Sequence, residues 1–402
     1  MKTTTSKLRT CTLAAASLAV SLSSLLADPG VSTNAIYAKT NLVSNIPGTA
    51  PHTDPRLLNA WGILSATEGV WVNNNHSGLT AGYSANGTFT RFSIHIPSPG
   101  GGDGAPTGLI FNDSSRFIIT NGHRHAAATF LMATEDGTIT AWNQSINKSN
   151  ALIVVDRSGA GAVYKGLTML RDTNGAPQIY AADFHNNAVD VFDGAFNLVT
   201  SFTDTSLPAN FAPFNCAKIH GKLFVSFALQ KLPDAVDDQA GPGNGYVDIF
   251  DTDGTLLRRF ASEGVLNSPW GMVEAPDHFG KFSYALLVGN FGDGTINGFD
   301  LITGKSLGGL SDSSGNPIVI DGLWGLVFNR SQPKGRWGFE AERLYFTAGP
   351  NGEEDGLLGY LRSVGKKFTT GNGWNGNGNG NGNGSDHNGG PGARGGGHPP
   401  GH

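Results

Sequence analysis

The chain has 402 residues, 39% of them hydrophobic, and sets 27 basic side chains against 32 acidic ones for a formal net charge of −5. That balance excludes a protein whose partner is nucleic acid, since such affinity comes from neutralised phosphates. There are only 2 cysteines, and Cys11 lies in a segment read below as removable. No intramolecular disulfide can then brace the mature fold, which has to be held by buried apolar surface.

Lys2, Lys7 and Arg9 precede an apolar run of small residues from Cys11 to Leu26, and the sequence turns polar at Asp28. Positive start, apolar middle and small-residue end predict a secretory signal peptide over residues 1–27, cleaved after Ala27. The run falls short of the ~20 residues that cross a bilayer, and no later stretch matches it. A secreted or extracytoplasmic protein without a membrane span is therefore expected, with 24 basic residues left against 32 acidic ones.

From there two short patterns alternate along the chain. One is a turn or small residue, often followed by an aromatic one, then glycine and an apolar run: NAWGI, APTGLIF, YKGLTML, APFNCAKI, SPWGMV and GLWGLVF, with the glycine position at Gly62, Gly108, Gly166, Asn215, Gly271 and Gly325. The other is a β-forming alternation ending in an aromatic and a short polar residue: GLTAGYS, GTITAWN, NAVDVFD, GYVDIFD, GTINGFD and GLLGYLR. Each occurs six times in the same order, 46 to 62 residues apart. Between them lie runs of period two such as GVWVNNN, QIYAADF and KLFVSFA, and after the second pattern FTRFSI, NLVTSF and TLLRRF follow turns such as SANG and DTDG. Four antiparallel strands (A to D) repeated six times predict an all-β fold, a six-bladed β-propeller over residues 36–365.

The sixth repeat stops after its third strand, near Val364, and runs into GKKFTTGNGWNGNGNG. Residues 36–45, IYAKTNLVSN, precede the first repeat with no partner of their own, so this N-terminal strand is expected to close the last blade and remove an exposed edge. Residues 366–402 are Gly, Asn, Pro and His with almost no apolar side chains and read as a disordered tail.

The segments TNLVSNIPGTAPHTDPRLLNAWGI, FLMATEDGTITAWN and AGPGNGYVDIFD resemble an uncharacterised family of exported bacterial proteins, over roughly residues 37 to 365. Some members of that family end in a PEP-type C-terminal sorting signal, which is not read in this chain. IYAADFHNNAVDVFD is similar also to NHL-type propeller repeats, whose members include binding modules, lyases and lactonases. The resemblance implies the propeller and no particular activity.

Antiparallel strands running outward from the axis put the D–A and B–C loops on one face, the usual binding face of a propeller. The B–C loops there offer Asn74 and His76; Glu135 and Asp136; Asp183 and His185; Asp237 and Asp238; Asp293; and Glu353 and Glu354. Five of the six repeats bring a carboxylate to this ligand-binding face, a donor set that suits a hard cation such as Ca²⁺ or a cationic ligand. Turn chemistry alone also accounts for Asn, Asp and Gly in such loops. The longest B–C loop, Leu229 to Gly245, exceeds what joining two strands requires and is a candidate binding loop. Trp61, Trp270 and Trp324, at the starts of A strands, read as packing plugs near the axis. No G-x-S-x-G or H-E-x-x-H motif occurs.

Two functions follow. One is a monomeric, non-catalytic binding or scaffold module for an extracellular protein, glycan or small ligand. The alternative is a lactonase-like hydrolase or lyase dependent on a divalent metal in the central channel. Loop oxygens from several blades converging on one axial point favour the second, and oxygens fanning into solvent favour the first.

Overall fold

The computed structural model describes residues 36–66, 69–328 and 343–364. The expectations for the leader (1–27) and for the tail (366–402) lie outside the described residues. Among those residues there is no α-helix, only strands and three single 3₁₀ turns.

Six sheets, each of four antiparallel strands laid down from the axis outward, form the blades of a propeller. Blade 1 runs Ala60–Ala66, Gly69–Asn74, Leu79–Ser84 and Phe89–His95, and blades 3, 4 and 5 repeat that order without insertion, beginning at Tyr164, Phe211 and Pro269. Blade 2 carries an added hairpin, Ile118–Asn121 with Arg124–Ala127, between its first strand, Pro106–Phe111, and its second, Phe130–Thr134.

The last blade is built from both ends of the propeller. Leu323–Phe328, Leu344–Ala348 and Leu357–Ser363 supply three strands, and Tyr37–Ser44 is the fourth, antiparallel to Leu357–Ser363 from Tyr37↔Ser363 to Ser44↔Leu357. A two-residue strand, His52–Thr53, adds parallel to its end. The closing strand also reaches the neighbouring blade: Tyr37 is 1% exposed and its hydroxyl donates to the Phe279 carbonyl at 2.8 Å.

Between blades the first-pattern glycines lie where inner strands approach most closely. A Cβ on Gly62 would collide with the Thr107 carbonyl of blade 2, and one on Gly108 with Gly166 and Leu167 of blade 3. A Cβ on Gly271 would sit 2.7 Å from the Trp324 carbonyl, and one on Gly325 2.6 Å from the Trp61 carbonyl. These neighbours are main chain and cannot swing aside, so glycine is required by proximity rather than by its backbone freedom. Blade 4 has Asn215 instead, whose side chain fills the gap and donates to the Trp270 carbonyl of blade 5 at 2.7 Å.

Gly325→Ala should therefore cost about 1–3 kcal/mol through overpacking against main chain. Gly159→Ala should be close to neutral, because nothing lies within 4 Å of the added methyl. Denaturant midpoints of the two variants against the parent chain check this, and equal midpoints would contradict the close approach.

Candidate functional site

The residues just before the glycine position in the six repeats are Trp61, Thr107, Lys165, Phe214, Trp270 and Trp324. The aromatic members, with Phe184 and Phe291 from the loop face, form one buried cluster. Trp61 stacks on Trp324 with ring centroids 3.6 Å apart, and Phe291 stacks on the Trp324 ring at 3.9 Å. Trp270 meets both indoles edge-on. The tryptophans thus plug the axis, as their recurrence suggests, and the plug is bonded to the strands. Trp270 Nε1 donates to the Lys165 carbonyl at 3.1 Å, and Trp324 Nε1 to Asn59 Oδ1 at 3.2 Å.

Lys165 is the one charged residue at this position and the centre of the site. Its side chain is 3% exposed, with Nζ 5.2 Å from the Trp61 ring centroid and 6.0 Å from that of Phe184. Nζ donates to Glu135 Oε1 and lies 3.9 Å from Asp237 Oδ1. Glu135 Oε2 accepts from Asn75 Nδ2 at 2.9 Å, and Asn75 Oδ1 and His76 Nε2 each lie 3.4 Å from Asn59 Nδ2. Asn59 is buried, holds a φ of 45° that asparagine tolerates better than most residues, and donates its backbone N–H to the Asp355 carbonyl of blade 6.

Charge at the funnel floor follows from this packing. Burial by itself works against a charged Lys165, but the adjacent Glu135 carboxylate, with help from Asp237 and Glu353, outweighs it and holds the ammonium above the ordinary lysine range. Burial likewise works against a charged Glu135, and the Lys165 ammonium overrides it, so this carboxyl is held below its usual range. Glu353 goes the other way: burial, reinforced by the negative charge of Glu135, pushes it up to about 7. Burial also raises Asp238. Glu353 Oε1 and Asp238 Oδ2 are buried without a hydrogen-bond partner.

Of the loop residues singled out from the sequence, the structure brings His76, Glu135, Asp237, Asp238 and Glu353 to the Lys165 cluster. Others hold turns instead. Asp136 accepts from Ser98 and from the Ala105 N–H, Asp183 from the Val163 N–H and Asn186, and Asp293 from Thr295 and Asn267. His185 bonds the Asp234 carbonyl, Glu354 is exposed, and Asn74 is fully buried with its amide unpartnered. Carboxylates thus reach the centre from blades 2, 4 and 6, rather than from five blades, because in blades 3 and 5 the turn claims them. The long loop after Leu229 folds back through a bridge between Gln230 and Asp238, which carries Asp237 toward Lys165. Asn59 and Lys165 were not singled out from the sequence. Lys165 was detectable as the one charged residue in the ring position before the glycine.

The converging oxygens thus surround a lysine ammonium. Among the described residues no group of three or more His, Cys, Asp and Glu is placed to hold a metal ion. No helix of the described residues is long and apolar enough to cross a membrane.

No protein-family model matches the chain. It is 34% identical over 328 residues to the mimivirus "Uncharacterized protein R648", covering 80% of this chain and 78% of that one. It is also 34% identical over 332 residues to "Uncharacterized protein L690" of the same virus, Acanthamoeba polyphaga mimivirus, covering 80% and 84%. Among solved structures it is similar to a glucose dehydrogenase, at 12% identity and a TM-score of 0.47, covering 82% of this chain and 99% of the other. It is similar also to the Neurospora crassa Pan2 WD40 domain, at 13% identity and a TM-score of 0.41, covering 82% and 96%. Likeness at that level says nothing about ligand or reaction.

Lys165→Met should leave Glu135 as a buried, uncompensated carboxylate and cost about 3–5 kcal/mol, while Glu135→Gln in the same chain should restore much of the loss. A double-mutant cycle by chemical denaturation measures this, and additive effects would show that the two groups do not interact. Glu353 has a pH signature. The folded protein keeps its proton up to about pH 7, whereas the unfolded chain releases it near the ordinary 4.5, so in that window the folded state binds more protons and stability falls as pH rises. Asp248, also raised to about 7 by burial and by Asp204, adds a slope of the same sign. Glu353→Gln should flatten the fall between pH 5 and 7 without abolishing it, and an unchanged slope would contradict the placement of Glu353.

Proposed function

Because the chain belongs to one family with the mimivirus proteins R648 and L690, whose names assign no activity, we propose a role from its own site: an exported, non-catalytic binding propeller whose funnel takes a positively charged hydrogen-bond donor, an ammonium or guanidinium group. The observation that carries this reading is the pair of buried, unpartnered acceptors, Glu353 Oε1 and Asp238 Oδ2, beside the Lys165 cluster. One ammonium there answers four carboxyl groups, those of Glu135, Asp237, Asp238 and Glu353. Buried acceptors without donors are costly, and a ligand bringing N–H groups supplies the missing hydrogen bonds.

The aromatic plug supports a binding role over transport through the axis, since it fills the channel beneath the cluster. Rigid blades with polar loops above a sealed floor suit recognition of a group that enters from one face. Export is supported by the leader pattern of residues 1–27. The metal-dependent alternative would need its ion where the Lys165 ammonium already faces Glu135 and Asp237, so the cation-binding reading is preferred.

Putrescine and agmatine, titrated calorimetrically into the purified full chain, should bind saturably, whereas the dianion succinate should not. Glu353→Gln combined with Asp238→Asn should weaken the cations at least about tenfold, as expected for loss of charge-assisted hydrogen bonds. Equal binding of cations and succinate, or no effect of the double substitution, would overturn the reading.

A further inference from the structure

Where the ring closes, a second cleft opens between the last blade and the first, away from the funnel. It holds about 520 Å³ of water-accessible space and is lined by residues 51–56, which follow the closing strand, and by the outer strands of blade 1. Its charge runs against that of the whole molecule. Two guanidiniums, Arg56 and Arg91, and the imidazole of His52 line it, with Asp54 as the only carboxylate in the lining.

Asp54 is already committed. It is 4% exposed, and its Oδ1 accepts from Arg56 Nε at 2.8 Å and from the Arg56 backbone N–H at 3.0 Å. Its Oδ2 accepts from a second Arg56 nitrogen at 2.9 Å and from the Tyr83 hydroxyl at 3.1 Å. The two-point pairing fixes the guanidinium plane, which lies over the Phe89 ring at 3.7 Å and leaves one nitrogen without a described partner. Arg56 is therefore a pre-oriented donor rather than a loose surface chain.

Arg91 is placed differently. The ladder between Leu79–Ser84 and Phe89–His95 is irregular, because Ala81 faces Ser93 while Tyr83 already faces Phe89. In this bulge Arg91 adopts a φ of 62°, an unfavourable backbone for a residue with a long side chain. Bulges re-aim side chains, and here the result is a guanidinium lining the cleft. Neither Arg91 nor His52 forms an ion pair with a described residue, so both bring donors that no described side chain answers.

We propose that this closure cleft binds an oxyanion, the carboxylate, sulfate or phosphate group of a small ligand, gripped by Arg91 and His52 and by the free edge of Arg56. Arg guanidiniums recognise planar and tetrahedral oxyanions through paired N–H donors, and a pre-fixed one loses little freedom on binding. A bound anion would join the segment that follows the closing strand to blade 1, and so stabilise the ring where its two ends meet.

Thermal melting of the full chain in inorganic phosphate, sulfate and acetate, each against chloride at equal ionic strength, tests this and separates tetrahedral from planar anions. At least one of the three should raise the melting temperature saturably. Arg91→Asn, chosen because asparagine tolerates the left-handed backbone, should weaken that anion at least about tenfold. His52→Gln should weaken it less, and the remote Lys148→Ala should leave it unchanged. The absence of a saturable shift with all three anions, or parental affinity in Arg91→Asn, would overturn the proposal.

Discussion

The whole structure depends on six inner strands converging on one axis, closely enough that main chain meets main chain. At Gly62, Gly108, Gly271 and Gly325 there is no room for a methyl group beside the next blade, and at Asn215 the room that exists is filled by a bonded amide. A repeat that must end this close to its neighbours can keep its glycine and vary the residue before it. That freedom is what the axis uses. Four of the six variable positions are aromatic and pack into a plug, since large planar side chains fill an axial space with few lost rotamers.

A sealed axis turns the loop face into a funnel with a floor, and the floor decides the chemistry. Lys165 stands in a position that four of the other five blades give to tryptophan or phenylalanine, where its stem packs among rings and its ammonium emerges among carboxylates. Removing a lysine from water costs several kcal/mol, and that penalty is offset only because Glu135 faces it directly and Asp237 stands close by. The same arrangement leaves Glu353 and Asp238 on the high side of their ordinary range, with one oxygen of each, Oε1 and Oδ2, buried without a hydrogen-bond partner among the described residues. Loop composition alone reads as a cation site with the cation missing, and the fold supplies the cation from its own inner strand.

The architecture was legible because it is periodic. Two patterns in strict alternation report strand number, order and blade count, and a stray strand at Tyr37–Ser44 beside a sixth repeat lacking one reports the closure. The site was legible only in part, for two physical reasons. Aspartates in turns look alike in sequence whether they cap a loop, as Asp136, Asp183 and Asp293 do, or face the axis, as Asp237 does. And Lys165 sits in a strand, where polar loops draw no attention to it. Stacking the six repeats at the residue before the glycine would have exposed it as the one charged residue in a mostly aromatic column. Asn59 carried no such signal, since its part depends on Trp324 and on the blade 6 loop, far away in the chain.

The central claim is that the point of convergence above the plug is occupied by a protonated lysine of the protein itself. Nitrogen NMR of ¹⁵N-lysine-labelled protein, with the Lys165 signal assigned by its loss in Lys165→Met, reads that state directly. The account predicts a charged, slowly exchanging ammonium that stays protonated beyond the pH at which ordinary lysines titrate. A Lys165 signal that exchanges freely with water, or that deprotonates at or below the pH of the other lysines, would contradict it.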